Sequence, residues 1–167
     1  MDNKYDLRAK AKNIRKKLNT FEKSKMAIEI IKENMIYQSS KNIMLYYPLK
    51  YEINLLPLLK DKRNFYFPRV ESENLLVCPN DGDFVKSSQG IFEPCTNPVK
   101  SDILDLIIVP ALMADSQNFR LGYGGGYYDR FLKNSKIATI CVIPKELFIE
   151  KLPVDEFDIK IDTIIKV

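Results

Sequence analysis

The chain predicts an α/β fold: a mainly parallel sheet flanked by helices on both faces, in three layers. Three observations carry that expectation. The chain is helical in period up to Tyr37, it then alternates short apolar runs with helical pieces, and two of those runs are apolar on both faces. Taken in order, Leu7, Ala11, Ile14 and Leu18 fall at helical spacing and make the first segment an amphipathic helix. Lys4, Arg8 and Lys12 form an i, i+4 row on its other side. Thr20 is placed to cap a second helix, although Lys23 stands where a capping box wants an acid, and Ile28, Ile31 and Met35 carry that helix to about Tyr37.

The period then changes. "NIMLYYPL" reads as a strand closed by Pro48, and "INLLPLLKD" as a brief helix with Pro57 near its first turn. "NFYFPRV" and "NLLVCPN" are further strands, with a turn at Asp81–Gly82. "LDLIIVPAL" and "IATICVI" have the unbroken apolar character of strands covered on both faces, and a helix beginning at "YYDRFLKN" lies between them. "DTIIKV" is the last strand. No repeat, low-complexity tract or linker divides the chain, so residues 1–167 are expected to form a single domain.

Composition narrows the function. A hydrophobic share of 46% beside 29% charged residues suits a water-soluble globular chain. No apolar run reaches the ~20 residues of a membrane span, because "ILDLIIVPALM" is interrupted by Asp105 and Pro110. The first residues lack the pattern of a signal peptide, so a cytoplasmic location is expected. The chain has no histidine, which excludes imidazole bases and the commonest transition-metal ligand. A metal, if used, must be held by carboxylates, which points to a hard ion such as Mg²⁺. Cys78, Cys95 and Cys141 lack C-x-x-C spacing and read as plain thiols. Residues 1–25 carry nine Lys/Arg against Asp2, Asp6 and Glu22, so most of the positive charge faces an anionic partner from this end.

Four of the six glycines lie within "RLGYGGGYYDR", Arg120 to Arg130. Glycines let backbone N–H groups crowd an anion, a helix start behind them adds unpaired donors, and Arg120 can add a bidentate clamp on phosphate. The segment is neither a P-loop nor a dinucleotide fingerprint, because Tyr127 stands where each pattern needs another residue. A mere glycine-rich turn packed on the sheet is the alternative; the concentration of glycines between arginines and before Asp129 favours the phosphate cradle.

That segment resembles the signature of the 5-formyltetrahydrofolate cyclo-ligase family, and the likeness runs through the chain. "KYDLR" is similar to the family's opening Lys-x-x-Leu-Arg, "YEIN" to an acidic segment after an early strand, "GIFEP" to a Gly-Ile-x-Glu-Pro stretch, and "LPVDEFDIKID" to the closing segment. The resemblance implies a three-layer fold of cyclo-ligase and CoA-transferase-like type, and an ATP-dependent ring closure of 5-formyltetrahydrofolate to 5,10-methenyltetrahydrofolate. It implies that Lys4 and Arg8 contact ATP phosphates, together with Arg120, Leu121, Gly122, Tyr123, Gly124, Gly125, Gly126, Tyr127 and Tyr128. Tyr123 through Tyr127 would also line the folate side, with Arg120 and Tyr127 closest to the chemistry. Tyr47 and Glu52 would face the pterin, though a core position suits Tyr47 equally well. Asp129 and Asp158 would bind Mg²⁺. Part of the family has basic residues at positions 123 and 125, whereas Tyr123 and Gly125 are neutral here. Asn118 stands where the family often has glycine. The partners implied are a reduced folate and ATP, with no nucleic acid or membrane, acting on a monomer or weak homodimer. The rivals are a nucleic-acid-binding module built on the basic helix, an enzyme of related fold acting on a sugar phosphate or CoA ester, and a folate-binding relative without turnover.

Overall fold

The computed structural model describes residues 3–167; Asp2, counted in the N-terminal charge, lies outside them. Helices α1 (Lys4–Arg15), α2 (Thr20–Glu33) and α3 (Met35–Ser39) precede strand β1 (Asn42–Met44). Strands β2 (Asn64–Glu71), β3 (Asn74–Pro79), β4 (Phe84–Lys86) and β5 (Phe92–Pro94) follow, then β6 (Leu106–Ile108), β7 (Met113–Asp115) and β8 (Arg120–Leu121). Helix α4 (Tyr127–Leu132) leads to β9 (Ala138–Ile143), β10 (Phe148–Ile149) and β11 (Thr163–Lys166).

Six strands make the central sheet in the order β11-β9-β6-β1-β2-β3. All neighbours run parallel except β2 and β3, which form an antiparallel hairpin. Alternate side chains go to opposite layers, which is why Leu106–Ile108 and Ile140–Ile143 are apolar at every position. Ile43, Leu106, Ile108, Ile140 and Val142 meet Ala27, Ile31 and Tyr37 of α2 and α3. Met44, Ile107, Cys141 and Ile143 meet Leu7 and Ala11 of α1 and Leu132 of α4. Full burial of each such side chain is worth roughly 1.5–3 kcal/mol, and the one buried polar side chain in β9, Thr139, exchanges hydrogen bonds with Asp162.

The order also fixes where a ligand belongs. From β1 the chain winds outward through β2 and β3, then crosses to β6 on the other edge of β1 and winds away through β9 and β11. The two windings part between β1 and β6, and a crevice opens beyond the carboxyl ends of those strands.

Several expectations are corrected. The second helix is capped by Asn19, whose side chain accepts from the Glu22 N–H, and Thr20 is already its first residue. It stops at Glu33, because Asn34 turns its side chain to accept from Ile36 and Tyr37 N–H and so starts a separate short helix. The first strand is only three residues long, and Tyr46 and Tyr47 leave the sheet toward the crevice. The segment with Pro57 is a 3-10 helix, Leu56–Lys60. The glycine segment is not joined directly to β6: a second sheet, β10-β7-β8, intervenes, and Arg120 and Leu121 are themselves β8.

Candidate active site

A cleft of about 950 Å³ occupies the crevice, and every residue expected at the site lines it. One wall is built from α1, the glycine loop and the segment around Asp158. Lys4 donates to Asp155 at 2.6 Å and to Asp158 at 2.5 Å. Burial works against the Lys4 ammonium, but the hydrogen bonds and charges of the two aspartates together outweigh it and hold its pKa above the ordinary lysine value. Arg8, one turn further along the same face, donates from Nε to the Gly122 carbonyl at 2.9 Å, and its guanidinium lies over Gly124. Of the row read from helical spacing, Arg8 grips the glycine loop, Lys4 holds Asp155 and Asp158, and Lys12 is exposed.

The loop's shape needs its glycines. Gly124 sits at φ +110° with the Arg8 guanidinium carbon 3.5 Å from where a Cβ would stand, and Gly126 adopts φ +67° as it starts α4. Asn118, expected to tolerate the left-handed region in place of glycine, is there at φ 67°. Tyr127 turns its ring against Gly125, with the Arg130 guanidinium 5.0 Å from the ring centre. Burial raises the Tyr128 phenol pKa, helped by the charge of Glu52, and its hydroxyl has no partner among the described residues.

Arg120 differs from the expected free clamp. Its side chain is only 3% exposed beneath the loop, where it donates to Asp129 Oδ1 at 3.0 Å. The same oxygen accepts from the Ile159 N–H at 3.1 Å, while Arg120 Nε is buried without a partner among the described residues. The β8 strand puts Arg120 on the inner side of the loop with one terminal nitrogen held by Asp129, so the edge carrying Nε is the one left for a ligand. Helix α4 is also short, six residues, so the dipole behind the cradle is smaller than a full helix supplies.

The opposite wall comes from the exit of β1 and the β4–β5 hairpin. A tight turn brings Glu52 inward: its N–H donates to the Leu49 carbonyl at 3.0 Å, and Oε2 accepts from the Leu49 N–H at 2.7 Å. Tyr51 pays for that turn with φ 69°, a left-handed conformation rare for a bulky side chain. Glu52 Oε1 accepts from the Tyr123 hydroxyl and lies 3.5 Å from Arg15. Tyr47 packs its ring 5.0 Å from Phe92, 5.8 Å from Phe84 and 6.3 Å from Phe67. It is at once part of an aromatic cluster and part of the cleft lining, which joins the two readings left open for it. Arg15 and the hairpin residues Gln89, Ile91 and Glu93 were not singled out from the sequence; "GIFEP" pointed at the hairpin without saying what it lines.

Among the described residues no group of three or more His, Cys, Asp or Glu side chains converges to cage an ion. Asp129 and Asp158 offer two carboxylates in the same cleft. That hard donor set fits Mg²⁺ held partly by phosphate oxygens and water, and does not fit an ion enclosed by protein alone.

The sequence profile of the 5-formyltetrahydrofolate cyclo-ligase family matches residues 1–167. The chain belongs to that family. A mouse 5-formyltetrahydrofolate cyclo-ligase is 28% identical, covering 97% of this chain and 92% of its own. The Mycoplasma pneumoniae cyclo-ligase is 27% identical and covers 97% of both. The NMR structure of Aquifex aeolicus 5,10-methenyltetrahydrofolate synthetase superposes with a TM-score of 0.86 at 31% identity, over 98% of this chain and 89% of that one. Members of the cyclo-ligase family named in these comparisons are ligases, and this chain is an enzyme of that kind. Among the described residues no helix is long and apolar enough to cross a membrane.

Proposed function

We propose that this cleft closes the ring of 5-formyltetrahydrofolate to give 5,10-methenyltetrahydrofolate, with ATP converted to ADP and phosphate. The observation that supports it most is one cleft joining a glycine loop gripped by α1 cations to a wall holding a buried carboxylate beside aromatic rings. In this reading the N5-formyl oxygen attacks the γ-phosphorus and ADP leaves. N10 then attacks the activated carbon and loses its proton, and phosphate departs with the formyl oxygen. No enzyme nucleophile takes part, which agrees with a chain that has no histidine. The protein contributes position and charge.

Lys4, Arg8 and the amides from Leu121 to Tyr128 bind the triphosphate. In this reading Tyr127, whose ring lies against Gly125, serves the phosphoryl side of the loop as well as the folate, and Tyr123, which donates to Glu52, serves the folate side. Glu52 accepts from the pterin amino and ring N–H groups, and Tyr47 covers its apolar face. Arg120 holds Asp129 in orientation and offers its unpaired Nε when charge develops. Asp129 and Asp158 would hold Mg²⁺, which when bound neutralises charge on the phosphates. The reading takes residues 1–167 as one cytoplasmic domain, monomer or weak homodimer, acting on small molecules without nucleic acid or membrane.

The direct test follows methenyl-folate absorbance from 5-formyltetrahydrofolate with and without Mg-ATP. Product that depends on both is the expected result. Folate binding without product under saturating Mg-ATP sinks the catalytic reading and leaves a binding protein.

A further inference from the structure

Arg15 is the last residue of α1, and its side chain is 6% exposed against 5% for Glu52. Its terminal nitrogens serve three acceptors. One donates to the Ala111 carbonyl, just beyond the carboxyl end of β6. The other donates to the Tyr123 hydroxyl at 3.3 Å and lies 3.5 Å from Glu52 Oε1, the oxygen to which that hydroxyl itself donates. Four parts of the fold thus meet on one guanidinium: α1, the β6 exit, the glycine loop and the turn carrying Glu52. A carboxylate this buried is costly unless a cation and hydrogen bonds satisfy it. Arg15 is the only cation within salt-bridge range of Glu52 among the described residues.

The two partners of Glu52 Oε1 are unequal. Arg15 is locked between the helix end and the β6 exit. Tyr123 is 40% exposed and rides on the glycine loop, so it can leave when ligand donors arrive. We propose that Arg15 is a positioning residue for the folate: it holds the Glu52 carboxylate in place while Tyr123 is exchanged for the pterin. This rests on the reading that the folate lies against Glu52. Among the basic residues of α1, Arg15 is set apart by its spacing: it falls four positions after Ala11 and eight after Leu7, on the buried face of the helix.

The test measures binding of 5-formyltetrahydrofolate without ATP, and of Mg-ATP without folate, to full-length wild type, Arg15→Met, Glu52→Gln and the double variant, all checked for folding by circular dichroism. Arg15→Met is expected to weaken folate binding tenfold or more and leave Mg-ATP within twofold. In the Glu52→Gln background the same change should cost less than threefold, because its target is gone. Equal losses in both backgrounds would mean that Arg15 acts independently of Glu52, which overturns the inference. So does an Arg15→Met protein that binds folate like wild type while Glu52→Gln does not. Glu52→Gln binding folate normally removes the placement of the folate and the inference with it. Should Arg15→Met fail to fold, Arg15→Lys is read instead: it keeps the charge but cannot serve both the Ala111 carbonyl and the Tyr123 hydroxyl. A several-fold loss of folate affinity alone supports the role, and an unchanged affinity overturns it.

Discussion

The two walls of the cleft are built on opposite plans. On the α1 and glycine-loop side the groups are charged and already have partners within the protein: Lys4 with Asp155 and Asp158, Arg8 with the Gly122 carbonyl, Arg120 with Asp129. On the β1 and hairpin side the contacts are aromatic rings packed on one another, with one carboxylate fixed by a strained turn. A polyanion entering the first wall must compete for donors that are in use, so that side adjusts on binding. In the proposed reading, a flat pterin entering the second meets rings that are already packed, and Tyr123 is the one group that must leave Glu52. The difference teaches that one cleft can pair a yielding half with a rigid half.

Four variants break or sharpen that contrast. Asp129→Asn should lower single-turnover methenyl formation on the order of 100-fold while folate binding stays within twofold, because it disturbs only the charged wall. Equal losses of turnover and folate binding would show that the walls are not independent. Gly124→Ala forces a Cβ onto a residue at φ +110° beside Arg8, a strain of roughly 1–3 kcal/mol. A raised KM for ATP with an unchanged KM for folate is the expected signature, read from initial rates. Phe92→Ala removes a ring from the Tyr47 cluster and should cost about 0.5–1.5 kcal/mol, seen as a several-fold rise in the folate KM alone.

The smallest effect lies outside both walls and serves as their control. The Asp105 carboxylate accepts from the Lys41 and Asn42 N–H groups at the start of β1, and those bonds hold its pKa below the usual carboxylate value. A lowered folded-state pKa means stability that is present above the unfolded value, about 3.9, and is lost as pH falls through the folded one. Asp105 is exposed, so solvent screening leaves about 1 kcal/mol or less. Asp105→Ala should therefore melt slightly below wild type at neutral pH, and the gap should close in acid with neither KM altered.

What the sequence made legible follows from what each feature rests on. β6 and β9 were readable because two-sided burial gives unbroken apolar runs, Leu106–Ile108 and Ile140–Ile143, and the glycine loop because four glycines together have few other uses. Lys4, Arg8, Glu52, Asp129 and Asp158 came from family likeness, and the fold does gather them in one cleft. The β4–β5 hairpin escaped notice because three-residue strands carry no measurable alternation. The spacing of Arg15 from Leu7 and Ala11 did put it on the buried face of α1, but its partner Glu52, on an unrelated turn, is a tertiary fact. The pairing of Arg120 with Asp129 depends on the path of the loop between them, which no spacing rule states.

The contact of Lys4 with Asp158 joins residues 154 positions apart. Such a closure has one of the longest spans this chain allows, and long-range contacts form late because so much chain entropy must be lost first. During synthesis Lys4 waits for the segment that carries Asp155 and Asp158 before this wall of the cleft can close. Until then one of its cations lacks the two carboxylates that hold it.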